Sequence, residues 1–96
     1  MAGMVATEYS VELTTYEYSL LTRNDLISTV CKRQLESATE DDEGVELLLT
    51  LKELEELTGF VAAESNHARS KRQREELGEI CDYLEAAVYR IKRYGG

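Results

Sequence analysis

His67 is the only histidine in the chain, and Glu64-Ser-Asn-His67 places it three residues after a glutamate. On a helix this Glu-x-x-His spacing puts both side chains on one face, the arrangement used by di-iron carboxylate bundles. A complete centre needs two such motifs and a glutamate from each of two further helices, so a symmetric dimer would have to supply the second set. Glu64 and His67 are therefore the metal candidates. They fall where a helix is expected to end rather than in its middle, so the simpler reading makes His67 an exposed or capping residue. No cofactor is expected.

Arg69, Lys71, Arg72 and Arg74 form the one dense basic cluster and could contact phosphate. Glu75 and Glu76 follow at once, and the net charge is −8. Affinity for nucleic acid rests on neutralising phosphates, which an acidic chain opposes. Nucleic-acid association is thus the lesser alternative, and a solvated or internally paired patch the simpler one. Cys31 and Cys81 stand 50 residues apart without the paired spacing of a zinc site. Both fall on apolar helical stripes, which suits buried reduced thiols. The chain has no Gly-x-Ser-x-Gly, no Cys–His pairing and no glycine-rich phosphate loop. Catalysis is not expected.

The elements that would position these residues come from 96 residues, 43% of them apolar and none of them proline. That length makes a single domain spanning 1–96. No apolar run approaches the ~20 residues of a membrane span. Met1-Ala-Gly-Met4 has neither the basic nor the apolar region of a secretory leader, so a cytoplasmic setting is expected.

Thr14 and Glu17 have the Thr-x-x-Glu spacing of a capping box, flanked by Leu13 and Tyr18 in staple positions. From there Tyr16, Leu20, Ile27, Val30, Cys31, Leu35 and Ala38 recur at helical spacing and predict a helix over 15–38. Thr22 with Asp25 offers an alternative start that would leave residues 9–21 extended. Asn24 and Gln34 fall within the apolar face and are expected to make interhelical hydrogen bonds. Asp42 is a good N-cap, and Leu47, Leu51, Leu54, Leu57 and Val61 predict a second helix over 43–64, with Gly59 marking a close helix crossing. Leu77, Cys81, Leu84, Val88 and Ile91, widened by Ile80 and Ala87, predict a third over 70–94. Tyr9, Val11 and Leu13 alternate as a strand does, but no second strand is obvious. The expected fold is therefore all-α, an antiparallel three-helix bundle behind a partly extended or disordered lead-in over 1–13.

Charge is uneven: residues 36–64 hold ten acids and one base, whereas residues 65–96 hold seven bases and five acids. In an up-down-up bundle the run Glu40–Glu46 would meet Lys32, Arg33, Arg90, Lys92 and Arg93 at one end. Glu8, Glu12 and Glu17 would meet the Arg69–Arg74 cluster at the other. The second helix also carries surplus apolar side chains, Val45, Leu48, Leu49 and Phe60, which mark an interaction surface. They predict a homodimer, with the Tyr9–Leu13 strands pairing across its twofold axis. The functional expectation is a non-enzymatic protein–protein interaction or masking module for a basic partner, steered by the acidic segment.

Overall fold

The computed structural model of the chain describes residues 7–95. The element order is β1 (Glu8–Leu13), α1 (Thr15–Arg23), α2 (Asp25–Val30), α3 (Lys32–Glu36), β2 (Thr39–Asp41), β3 (Gly44–Thr50), α4 (Leu51–His67) and α5 (Lys71–Tyr94). The strands form one antiparallel sheet in the order β1-β3-β2. The fold is α+β, which overturns the expected all-α helical bundle. Residues 1–6 of the expected lead-in lie outside the described residues.

The correction turns on residues 43–50. Val45, Leu47 and Leu49 are all at most 2% exposed, whereas Leu48 between them is 42% exposed. That is the two-residue period of a strand with one buried face. Its partner is β1, in the register Tyr9↔Leu49, Val11↔Leu47 and Leu13↔Val45, so the inward side chains of both strands fall opposite one another. Val45 and Leu49, expected on an interaction surface, are core residues. Leu48 and Phe60 are exposed but stand on different elements, the sheet and α4. The sheet thus takes up Val45 and Leu49 from the apolar surplus behind the homodimer expectation and leaves Leu48 and Phe60 exposed.

Thr50 ends β3 and also caps α4. Its hydroxyl accepts from the Glu53 N–H at 3.1 Å, and the Glu53 carboxylate accepts from the Thr50 N–H at 3.0 Å. This reciprocal box repeats the one expected and found at Thr14 and Glu17. The expected helix over 15–38 is divided twice. Asn24 interrupts it with an extended backbone, and its side-chain oxygen accepts from the Ile27 N–H at 2.9 Å to start α2. Cys31 leaves helical geometry between α2 and α3.

α5 matches expectation, beginning after the Ser70 cap and ending at Gly95 in a left-handed conformation. It lies antiparallel to α4. Ser65 Oγ donates to the Arg74 carbonyl near one end, and Lys92 Nζ meets Glu55 at 2.6 Å towards the other. Leu54, Leu57 and Val61 of α4 join Leu77, Ile80 and Leu84 of α5 in one core with the inner face of the sheet. Gly59 marks no close crossing: a methyl group there would meet nothing within 4 Å.

Candidate functional site

The outer face of the sheet gathers the side chains that the inner face excludes. β1 contributes Glu8, Ser10 and Glu12, all exposed, and β3 contributes Glu46, Leu48 and Thr50. Across the β1–β3 pair, Glu8 lies opposite Thr50, Ser10 opposite Leu48, and Glu12 opposite Glu46. Thr39 flanks Glu46 on its other side. Cβ atoms of directly opposed residues stand about 5 Å apart, and like charges there repel. The fold tolerates this at Glu12 and Glu46, with one hydroxyl brought to bear: Ser10 Oγ donates to a Glu46 oxygen.

The β2–β3 hairpin adds more acid. Its two turn residues are Asp42 and Glu43, and Asp41 holds the turn by accepting from the N–H groups of Glu43 at 2.7 Å and Gly44 at 3.1 Å. Gly44 has φ +148°, and a methyl group there would stand 2.6 Å from the Leu13 carbonyl oxygen. The turn therefore sits tight against the end of β1. Glu12, Asp41, Glu43 and Glu46 line a shallow depression there, with Gly44 among its other walls. On the inner side of the hairpin, burial and then the charge of Glu40 raise the Tyr18 hydroxyl above its ordinary pKa, and that hydroxyl donates to the Leu35 carbonyl at 3.0 Å.

No base of the described residues pairs with these acids. Among the described residues, the ion pairs are Lys32–Glu36, Arg33–Glu53, Arg72–Glu76 and Lys92–Glu55. Glu8, Glu12, Glu40, Asp41, Asp42, Glu43 and Glu46 take part in none of them. The charge matching expected at both ends of a bundle is therefore absent from the sheet and its hairpin among the described residues. Leu48 stands exposed on the outer face of the sheet, its one large apolar side chain among the described residues.

The other candidates are placed apart. Glu64 accepts from Asn24 Nδ2 at 2.9 Å, while His67 is the exposed last residue of α4. Among the described residues no three His, Cys, Asp or Glu side chains converge as metal ligands. Arg69, Lys71, Arg72 and Arg74 are all exposed around the start of α5. Arg72 is engaged by Glu76, which also accepts from the Tyr16 hydroxyl, and Arg74 donates to the Ala68 carbonyl. Gln34 is buried and reaches the Glu53 carbonyl and Glu56 at 3.4 Å, an interelement hydrogen bond of the expected kind. Cys31 and Cys81 are buried free thiols.

Sequence reasoning misses the outer face because it assigns Glu43–Thr50 to a helix. The signal that could have found it is Thr50-x-x-Glu53, which dates the start of α4 to Leu51 and frees the preceding residues for a strand. No helix among the described residues is long and apolar enough to cross a membrane. No family model, curated protein or solved structure matches the chain.

Proposed function

We propose that the chain is a protein-interaction module whose outer sheet face and β2–β3 hairpin bind a basic segment of another protein. The observation that carries this reading is the set of seven carboxylates on β1, β2, β3 and their turn that no base of the described residues neutralises. Leu48 supplies an apolar anchor within the charged field. Opposed carboxylates such as Glu12 and Glu46 repel while the face is free, and a cationic partner relieves that repulsion. Attraction of this kind steers encounter and weakens with salt. A cytoplasmic setting belongs to the same reading and is supported by the two free thiols.

The test is titration of the full chain with a fluorescent peptide alternating lysine with valine, against a glutamate counterpart. The lysine peptide is expected to bind at low salt and to weaken at least about tenfold at ~0.5 M salt, where screening is nearly complete. Glu12→Lys places a base opposite Glu46, which favours the fold, so a several-fold loss of binding in this variant reports on the surface itself. Equal binding of both peptides, or none to the folded protein at low salt, would overturn the proposal.

A further inference from the structure

Hydrogen-bond directions in the sheet show which backbone groups of β1 point away from β3. Leu48 N–H points away from β1, donating to Ser37 Oγ at 3.1 Å, and Gly44 N–H points the same way, towards Asp41. N–H groups alternate sides along a strand, so those of Val45, Leu47 and Leu49 face β1. The register then pairs them with Leu13, Val11 and Tyr9. The remaining residues of β1, namely Glu8, Ser10 and Glu12, direct their N–H and C=O groups outward along the edge of the sheet. The capping boxes agree with this alternation: Thr14 and Thr50, next in the same parity on each strand, spend their N–H groups on Glu17 and Glu53.

β1 is an edge strand in the order β1-β3-β2, and Glu8, Ser10 and Glu12 are exposed. Such an edge is a template for another strand. We infer that a basic segment of the partner adds to β1 in extended form, extending the sheet to four strands. This rests on the reading of the outer face as a surface for a basic partner, and names how that partner is held. Main-chain bonds to Glu8, Ser10 and Glu12 supply affinity, and alternate side chains supply selectivity. Positions on the outer face take lysine or arginine, beside Glu8 and Glu12. Positions between them are apolar and continue the inner face formed by Tyr9, Val11 and Leu13.

Charge decides the occupant. Two copies of β1 can pair antiparallel with their core faces matched in two registers of similar extent. One sets Glu8 directly opposite Glu12 of the second copy, and the other brings the Glu12 side chains of both copies diagonally together. Both registers gather carboxylates, whereas a basic strand gains in either direction. Carboxylates at an edge thus repel self-pairing and attract a cationic strand.

Amide exchange on the full chain, free and saturated with the alternating lysine–valine peptide, tests the inference. Glu8, Ser10 and Glu12 amides should exchange freely alone and slow by at least about tenfold in the complex, while Tyr9, Val11 and Leu13 stay protected throughout. Ser10→Pro removes an outward N–H that the β1–β3 ladder does not use, so the variant should fold and bind about tenfold more weakly. Ser10→Ala, which keeps the N–H and loses the hydroxyl, should bind as the native chain does. Peptide binding with Ser10→Pro folded and unimpaired, and with the three amides unslowed, overturns strand addition and leaves the basic-partner reading intact. No binding of the lysine peptide removes both. A dimer in solution with those amides already protected gives the edge to a second copy and overturns the inference as well.

Discussion

Replacing Gly44 by alanine separates the sheet from a helical reading by the sign of its effect. At Gly44 φ is +148°, a region that side-chain-bearing residues rarely enter, and the new methyl group would lie 2.6 Å from the Leu13 carbonyl oxygen. The conformational strain alone is about 1–3 kcal/mol. The clash is with backbone, which cannot swing aside as a side chain could, so the total lies at or above the upper part of that range. For a domain near 100 residues each 1 kcal/mol moves Tm by about 4–8 °C, so the expected fall exceeds ~10 °C. In a helix over 43–64 the same substitution would stabilise by roughly 0.5–1 kcal/mol, because glycine is the poorer helix former. Gly59→Ala is the internal control: it lies in α4 with open space around it and should raise stability by about 0.5–1 kcal/mol. Urea unfolding followed by far-ultraviolet circular dichroism reads both variants against the native chain. An unchanged or raised midpoint for Gly44→Ala, with an unchanged slope, would refute the β2–β3 turn and with it the acidic face.

Burial, followed by the charges of Glu85 and Asp82, pushes the Cys81 thiol up to about 11. An unfolded thiol ionises first, so the native state holds the extra proton and stability should decline from about pH 9 towards pH 11, by ~2–3 kcal/mol. Cys81→Ala should flatten that decline, and an identical pH profile in the variant would contradict the buried placement. Asn24→Ala removes both the cap of α2 and the donor to Glu64, and should cost about 1–3 kcal/mol by chemical denaturation. A loss below a few tenths would show that the break between α1 and α2 does not depend on Asn24.

The parts of the fold legible in the sequence are those where one signal has no competitor. The Thr14–Glu17 box, the strand-like alternation of Tyr9, Val11 and Leu13, and the long stripe of α5 all reappear with their expected limits. β3 is hidden because two periods overlap in it. Leu47 precedes Leu51 by four residues, which extends the stripe of α4 backwards, yet Val45, Leu47 and Leu49 also alternate. Leucine and glutamate favour helix locally, and pairing with β1 overrides that preference. Asn24 conceals a second break in the same way. It sits within a sound apolar stripe, but its short amide caps a new turn of helix more readily than it continues one.

The acidic segment also changes meaning at Thr50. Read as one helix, residues 36–64 form a continuous negative surface. In the structure its helical half is answered residue by residue: Glu53 by Arg33, Glu55 by Lys92, Glu56 by Gln34 and Glu64 by Asn24. These contacts tie α4 to α3, α5 and the start of α2, so the carboxylates serve the fold. The strand half, Glu40 through Glu46, has no such contacts with bases and joins Glu8 and Glu12 through the register of β1. Repulsion between Glu12 and Glu46 opposes folding, and their positions are solvated, so neutral residues there would stabilise the sheet. The chain thus spends its charges as ties on α4 and leaves them opposed on the outer sheet face, beside a β1 edge whose Glu8, Ser10 and Glu12 backbone groups point away from β3.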